Sequence, residues 1–365
     1  MILGNVRRYK YGQVLVSDFD FDLPDDLIAQ DAAPRGASRL LVLDRETGGI
    51  EHSTVADLPN LLRSGDVLAV NNTRVFAARL LGHRVPSGGA VECLLLGQPA
   101  PSDDGSAVGE ALMHPGQKLK PGAIVGFEGA GGALLCEVLA QEFFGRRRVR
   151  FRAESGGDVD TLIDRLGHMP LPPYIKRADT ALDRERYQTV FASVRGSVAA
   201  PTAGLHFTPA MIDAIEARGV ERVAITLHIG YGTFKPVRTA VVEDHVVDPE
   251  HYEIEASAAE RLNRARREGR RVIAVGTTTT RALEDSARRG DGSLIGGPAE
   301  ATTFIHPGFR FQVVEGLMTN FHLPRSSLLM LVAAFAGRKR VLTAYREAVH
   351  HRYRFYSYGD AMLVV

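Results

Sequence analysis

Short apolar runs alternate with amphipathic stretches over most of the chain, and this pattern predicts strands alternating with helices. Residues 208–218 begin with Thr-Pro, place apolar residues on one helical face and are followed by Gly219. Thr at the N-cap, Pro at the first helical position and Gly after the last turn are typical helix limits. A further helix is predicted to begin within residues 21–30, and a strand is predicted at residues 301–308. Alternation of this kind favours a layered α/β domain.

A different pattern occupies residues 79–152, where short apolar runs are separated by Gly, Pro and Ser at fairly regular intervals. Regular short strands with turn residues between them predict a small barrel or sandwich. Because the α/β pattern stands on both sides, we predict an α/β host domain with an inserted all-β, barrel-like domain. The host would comprise residues 1–75 and 155–365, and the insertion would comprise residues 76–154.

Composition and charge limit the function only weakly. The 365 residues are 45% hydrophobic and 24% charged, as in a soluble globular protein with a sizeable core. The 44 basic and 43 acidic residues nearly cancel, so a nucleic-acid surface would have to be local. Cys93 and Cys136 lie in apolar runs and are predicted to be buried thiols. The chain opening lacks the apolar core of a signal peptide, and residues 326–337 are too few to span a membrane, so we expect a cytoplasmic protein.

Two histidines occupy positions that suit a cleft. His206 lies between Leu205 and Phe207, directly after a Thr-Ala-Gly turn. His228 ends an apolar run and precedes the Gly-Tyr-Gly sequence 230–232, where glycine lets the backbone approach a ligand. A single histidine at a strand end is more often structural, so His228 alone is the weaker candidate.

A third feature is the strand Val272–Val275, followed by Gly276, four threonines and Arg281. Free N–H groups at a helix start favour anions, and threonine hydroxyls with an arginine add to that preference. The segment lacks both the Gly-Lys-Thr of a phosphate loop and the glycine spacing of a dinucleotide site. It is therefore a candidate carboxylate or phosphate site, or alternatively an ordinary capped helix.

Polar residues also follow the apolar run near residue 317, where Asn320, His322 and Arg325 precede a predicted helix. Ligands of open α/β sheets bind at the carboxyl ends of strands, so these groups and the two histidines are predicted to share a site. His306, before Pro-Gly, is a further candidate. The sequence lacks the motifs of a serine or cysteine triad and of a metal site, and no metal is expected.

Basic runs at residues 146–152, 264–271, 337–340 and 350–359 are each typical of a solvated face. Taken together they could supply phosphate contacts to a polynucleotide, and the aromatic residues of the last run could stack on exposed bases.

Several long motifs, in order, then identify a resemblance. NNTRVFAARL, GHMPLPPYI, VAAPTAGLHFT, TLHIGYGTFKPV, VIAVGTTTTRALE, TNFHLPRSSLLMLVAAFAG and YRFYSYGDAM resemble the S-adenosylmethionine:tRNA ribosyltransferase-isomerase family of queuosine biosynthesis. The resemblance runs from about residue 18 to residue 365. Tyr231 stands where a small residue is expected, and residues 1–16 resemble an additional leader.

The resemblance implies an α/β domain, a β-barrel domain and a specific reaction. The ribosyl group of S-adenosylmethionine is transferred to 7-aminomethyl-7-deazaguanine at the wobble position of a tRNA with a GUN anticodon. The group is isomerised to give epoxyqueuosine, and adenine and methionine are released. S-adenosylmethionine is thus a consumed substrate, and the resemblance implies no metal and no resident cofactor. We also expect a monomer.

The residues can be assigned to this chemistry as hypotheses. Removal of a proton beside the sulfonium requires a base, for which His206 is preferred and His228 is second; departure of adenine requires an acid, for which His322 or His306 is suitable. The residues expected to bind S-adenosylmethionine are Thr202, Gly204, Thr277, Thr278, Arg281 and Asn320. Those expected to bind tRNA or its base are Asn72, Arg74, Arg325, Arg354 and Tyr358. The alternative is another RNA-modifying enzyme that binds S-adenosylmethionine or a nucleotide, such as a methyltransferase.

Overall fold

The computed structural model describes residues 13–365, apart from the side chains of residues 144 and 234; most of the proposed leader, residues 1–12, lies outside the described residues. The strands are β1 (Arg39–Leu43), β2 (Ile50–Thr54), β3 (Val67–Asn71), β4 (Thr73–Val75), β5 (Arg79–Val85), β6 (Ala90–Leu95), β7 (Ala100–Pro101), β8 (Ala107–His114), β9 (Ile124–Gly129), β10 (Gly132–Gln141), β11 (Arg146–Ala153), β12 (Val194–Ser197), β13 (Glu221–Leu227), β14 (Glu250–Ile254), β15 (Val272–Val275), β16 (Gly297–Ala301), β17 (Val314–Asn320) and β18 (Ala361–Val364). The α-helices are α1 (Leu58–Leu61), α2 (Val159–Leu166), α3 (Ala181–Arg186), α4 (Pro209–Ala217), α5 (Ala256–Arg267), α6 (Thr277–Arg289), α7 (Ser327–Ala336) and α8 (Arg338–His350).

A nine-stranded mixed sheet forms the centre of the host, in the order β16-β14-β13-β3-β15-β17-β18-β1-β2. Its four middle strands, β13, β3, β15 and β17, are parallel to one another. Successive side chains of these strands point to opposite faces, as in any strand. Leu68 and Val70 pack with α1 and α4, whereas Val67 and Ala69 belong to the larger core formed with α5, α6, α7 and α8. Both faces are therefore covered, which explains why the two central strands are apolar from Val67 to Val70 in β3 and from Val272 to Val275 in β15.

The predicted insertion is a closed antiparallel barrel. Strands β5, β6, β8, β9, β10 and β11 form a ring because β11 pairs with β8 as well as with β10, and β7 adds to β8 at one side. Inward-facing side chains fill the barrel, among them Cys93 and Cys136, which are both buried free thiols as predicted. The architecture of an α/β host with an inserted barrel-like all-β domain is confirmed. The boundaries at residues 76 and 154 stay a prediction; the barrel strands lie between Arg79 and Ala153.

Two predicted elements are wrong. Residues 21–30 contain a short 3-10 turn, Asp25–Leu27, in place of a longer helix, because Ala29 N–H donates to the carbonyl of Phe355 and the segment runs beside the C-terminal chain. The strand predicted at residues 301–308 is also absent, since β16 ends at Ala301 and the following residues form no strand. The Ala301 carbonyl instead accepts a hydrogen bond from Arg281. At both places, contacts with distant residues outweigh the local preference for a helix or a strand.

The helix at residues 208–218 forms as predicted. It spans Pro209–Ala217, and the Thr208 hydroxyl accepts a hydrogen bond from Met211 N–H at 3.1 Å. Within residues 13–365, every helix is too short or too polar to cross a lipid bilayer.

Candidate active site

The four parallel strands deliver polar residues to one edge of the sheet. Asn71 ends β3, His228 follows β13, Gly276 follows β15, and Asn320 ends β17. The carboxyl ends of parallel strands meet at the same edge, where open α/β sheets bind their ligands. The polar residues at the strand ends therefore lie at one edge of the sheet, where the sequence predicted a site.

A cleft of about 540 Å³, measured to its open mouth, lies at this edge. Five of the predicted residues line it, namely Thr202, Thr277, Thr278, Asn320 and His322. Its wall is completed by small and apolar groups from residues 199–203 and by Ile229 and Leu328. The cleft thus combines an apolar lining with a few polar groups, as small-molecule sites generally do.

The amino terminus of α6 opens into the cleft. Gly276 has a φ of 93°, a conformation that side-chain-bearing residues rarely adopt. This turn takes the chain directly from β15 into the helix. Thr279 and Thr280 donate their hydroxyls to the carbonyls of Val275 and Gly276, and so are satisfied internally.

Thr277 and Thr278 contact the cleft instead. The first N–H groups of a helix have no intrahelical acceptor, and Gly276 supplies no side-chain cap. Helix dipole and free N–H groups together favour an anionic group at this end of the cleft.

Asn320 and His206 form the second polar feature. The amide nitrogen of Asn320 lies 3.1 Å from the carbonyl of Tyr356 and 3.2 Å from Nε2 of His206. Since a carbonyl only accepts, this orientation makes the amide a donor to both, which leaves Nδ1–H of His206 to donate to the Ser38 hydroxyl at 3.1 Å. Asn320 is 2% exposed, and its Oδ1 accepts no hydrogen bond within the described part of the chain. A buried unpaired acceptor at a cleft wall is a position for a ligand donor.

Burial also determines the protonation state of the two histidines nearest the cleft, His322 and His206. His322 lines it, and its Nε2 lies 2.9 Å from the Thr319 hydroxyl. Desolvation lowers the pKa of His322 to about 3 and that of His206 to about 4. Both rings are consequently neutral near pH 7, and burial disfavours the protonated form of each.

A smaller cavity of about 280 Å³ lies behind the Asn320–His206 pair. His206, Ser38 and Tyr358 line it, together with Arg35 and Arg186, and Ser357 lines both cavities. The Tyr358 hydroxyl donates to Asp183 at 3.0 Å. Asp183 also receives two hydrogen bonds from Arg177, and its pKa is well below the ordinary value.

Three candidates from the sequence, His228, Arg281 and His306, lie away from these cavities. His228 packs against Gly196, and its Nδ1 lies 2.7 Å from the Thr73 hydroxyl. Its pKa is lowered, chiefly by burial. Arg281 forms a buried ion pair with Glu250 and donates to the Ala301 carbonyl at 3.0 Å. Neither side chain reaches the cleft in this structure. His306 likewise lies elsewhere, beside Phe304.

The remaining predicted residues have other neighbours. Gly204 is buried beneath the cleft residues, where a Cβ atom would lie 2.8 Å from Thr189. Asn72 accepts a hydrogen bond from Thr226 at 2.7 Å, and Arg74 is exposed on β4. The exposed Arg325 pairs with Asp20, and Arg354 donates to the Asp31 carbonyl. Among the described residues, none of the hydrogen bonds and ion pairs joins two of these four side chains, Asn72, Arg74, Arg325 and Arg354.

Sequence reasoning missed several residues that line the cavities, among them Ser38, Tyr356 and Ser357, and it also missed Asp360 behind them. Tyr356 adopts a φ of 76°, which is strained for a bulky side chain and is held by its N–H bond to the Phe321 carbonyl. Asp360 organises this segment by accepting from Arg39 N–H at 3.0 Å and from Arg354 N–H at 2.8 Å. Three of these residues, Tyr356, Ser357 and Asp360, belong to the motif YRFYSYGD. The aromatic and basic residues of that motif favour a surface role, so the sequence does not indicate that it lines the site.

Comparison with known proteins gives a consistent result. The model of the family described as "Queuosine biosynthesis protein" matches residues 16–364. The chain is 49% identical over 351 residues to an S-adenosylmethionine:tRNA ribosyltransferase-isomerase of Heliobacterium modesticaldum, covering 96% of this chain and 99% of that protein. It is 51% identical over 353 residues to the same-named protein of an Anaeromyxobacter species, covering 96% and 98%.

A solved structure also resembles it, that of S-adenosylmethionine tRNA ribosyltransferase from Thermotoga maritima. The two are 36% identical with a TM-score of 0.53, and the match covers 96% of this chain and 100% of the other. The fold and its cleft therefore define an α/β enzyme with an inserted barrel. The chain belongs to the queuosine biosynthesis family, as its motifs predicted.

Proposed function

We propose that this enzyme is an S-adenosylmethionine:tRNA ribosyltransferase-isomerase. It transfers the ribosyl group of S-adenosylmethionine to the aminomethyl group of 7-aminomethyl-7-deazaguanine at the tRNA wobble position, isomerises it to give epoxyqueuosine, and releases adenine and methionine. The observation that carries the proposal is the match to proteins of that name over 96% of the chain. The cleft at the sheet edge supplies the chemistry that the reaction requires.

S-adenosylmethionine occupies the larger cleft with its carboxylate at the start of α6. Thr277 and Thr278 supply N–H groups and hydroxyls there, and the helix dipole favours the negative charge. The unpaired Oδ1 of Asn320 accepts a hydrogen bond from an N–H or O–H of the substrate. Thr202 completes the polar lining.

His322 is the histidine that lines this cleft and is therefore our first choice for proton transfer. Its neutral ring can accept a proton from the carbon beside the sulfonium. Because loss of that proton converts the sulfonium into a neutral ylide, the imidazolium formed does not face a second full positive charge. His206 acts through Asn320, since the amide occupies its Nε2. His228 contacts the Thr73 hydroxyl outside the cleft and has a structural role in this proposal.

The modified base occupies the smaller cavity, where Tyr358 and Arg35 lie. Ser357 is common to both cavities, and the Asn320–His206 pair separates them. In this proposal the amine reaches the ribose past Ser357, the residue common to both cavities. Asn72, Arg74, Arg325 and Arg354 remain proposals for contacts with the rest of the tRNA. We propose further that the enzyme is a cytoplasmic monomer and that its reaction uses no metal and no resident cofactor.

The experiment is incubation with S-adenosylmethionine and two RNA anticodon stem-loops, one with the aminomethyl base and one with guanine at the wobble position. We expect adenine release that is stoichiometric with ribosylated RNA for the first stem-loop and none for the second. Formation of S-adenosylhomocysteine would indicate methyl transfer, the alternative function. Binding of the first stem-loop without adenine release would contradict the proposal.

A further inference from the structure

Three metal-ligating side chains meet on the surface, away from both cavities. His52 lies on β2, at the edge of the large sheet, whereas Glu347 and His351 are one helical turn apart at the end of α8. Nε2 of His351 lies 2.9 Å from Oε1 of Glu347, and Nε2 of His52 lies 3.7 Å from the same oxygen. One ligand atom of each residue lies within 4.8 Å of the other two.

This spacing fits a divalent transition metal. With metal–ligand bonds of about 2.0–2.1 Å, the ligand atoms of a tetrahedral site are about 3.3–3.4 Å apart. The two distances to Glu347 fall on either side of that value. The three side chains are 38%, 40% and 47% exposed, so small rotations can complete the geometry without repacking the core. Two imidazoles and one carboxylate suit Zn²⁺, with water as the fourth ligand.

Tyr353 gives the cluster the support that metal ligands require. Its hydroxyl lies 2.8 Å from Nδ1 of His52, so Nδ1–H can donate to it and leave the Nε2 lone pair directed toward Glu347. The Tyr353 ring is buried between Phe321 and the guanidinium of Arg39, which lies 4.2 Å from the ring centroid. Hydrogen bonds of this kind fix the orientation of a ligating histidine. The nearby charge of Arg39 is paired with Asp360 at 3.0 Å.

We propose that His52, Glu347 and His351 form a surface Zn²⁺ site that joins β2 to the end of α8. The metal would hold the start of the C-terminal segment in place, since Tyr353 lies three and four residues before Tyr356 and Ser357, which line the cleft. The site is separate from the ribosyl transfer chemistry and does not depend on the proposed function. Bound Zn²⁺ would raise the free energy of unfolding of the domain that carries the cleft.

The test is calorimetric titration of ZnCl₂ into tag-free, chelator-treated full-length protein. We expect one Zn²⁺ per chain in the wild type and at least tenfold weaker binding in both H52N and E347Q. H350N is the matched control, because His350 is an exposed neighbour outside the cluster and its loss should leave affinity unchanged. Thermal unfolding should show a Zn²⁺-dependent rise in Tm for the wild type and H350N but not for the two cluster variants.

The wild type binding no more tightly than H52N and E347Q would overturn the proposal, as would an equal loss in H350N. Because Glu347 is exposed and on a helix, E347Q keeps the test valid even if H52N folds poorly. Co²⁺ gives an independent readout, since a tetrahedral site produces intense visible absorption that E347Q should abolish.

Discussion

Asn320 and His206 are joined by a hydrogen bond of 3.2 Å that separates the two cavities of the active site. The Asn320 amide uses its second hydrogen on the Tyr356 carbonyl, and its Oδ1 remains without a partner among the described residues. One side chain thus orients a histidine, supports a strained tyrosine and presents an acceptor to the cleft. The pair links the residue favoured as catalytic from sequence to the wall of the substrate site.

Asn320→Ala should therefore lower kcat/KM for adenine release by more than the loss of one hydrogen bond to His206 would. Removing an acceptor and two donated hydrogen bonds should lower kcat/KM for adenine release by roughly 10- to 100-fold. Ser38→Ala is the comparison, since it removes the other hydrogen bond of His206 in the smaller cavity and leaves the lining of the larger cleft intact, and it should cost less than about tenfold. Equal effects of the two variants would show that the cleft acceptor has no role.

His322 and His228 should behave differently when each is changed to Gln. If His322 transfers the proton, His322→Gln should lower kcat by roughly 10²- to 10⁴-fold while S-adenosylmethionine still binds. His228→Gln should leave kcat within about tenfold, since the ring contacts Thr73 and Gly196 outside the cleft. Single-turnover adenine release and equilibrium binding of S-adenosylmethionine measure both. A larger loss in the His228 variant would reverse the assignment.

Arg281→Ala tests whether the guanidinium binds substrate or stabilises the fold. The change leaves the buried Glu250 without its partner, and burial already raises the pKa of that carboxyl. Loss of one member of a buried ion pair costs about 3–5 kcal/mol, and protonation of Glu250 should keep the loss near the lower limit. Urea unfolding should show this loss, while KM for S-adenosylmethionine stays unchanged. A raised KM with unaltered stability would support the carboxylate role predicted from sequence.

Gly276→Ala should weaken binding at the start of α6. The residue has a φ of 93°, and its nearest potential Cβ contacts are 3.8 Å away, so the cost is backbone strain rather than a clash. Gly276 combines this φ with a ψ of 152°, a region that is essentially restricted to glycine and costs another residue about 1–3 kcal/mol. We expect a lower Tm and a raised KM for S-adenosylmethionine. Gly269→Ala, also at positive φ but at the end of α5, should lower Tm without changing KM.

Stability should fall as the solution is acidified from neutral pH. The folded pKa of His322 is about 3, against an unfolded value near 6.5, so the unfolded chain binds more protons between these limits. Between about pH 7 and about pH 5 this one histidine should cost about 2 kcal/mol of unfolding free energy. The wild type should therefore lose about 2 kcal/mol more than His322→Gln over that range in urea titrations. Comparing two variants cancels the contributions of Glu250 and Glu284, whose raised pKa values act in the opposite direction.

The sequence by itself determined the helix limits at Thr208 and Ser326, the strand ends that carry Gly276 and Asn320, and the β-rich insertion. These features depend on side chains and backbone within a few residues of one another, so periodicity and capping signals suffice to find them. The parallel strands then bring their ends to one edge, and Thr277, Thr278, Asn320 and His322 meet as predicted from that rule.

Only the tertiary structure decided which polar groups are free to act. Arg281 follows the threonines like a ligand-binding residue, yet Glu250, 31 residues earlier in the chain, neutralises it. His206 and Ser38 are separated by 168 residues, and closure of the barrel depends on β8 meeting β11. Such pairings arise from packing and from the need to neutralise or hydrogen-bond each buried polar group, and both depend on distant residues that local pattern does not identify.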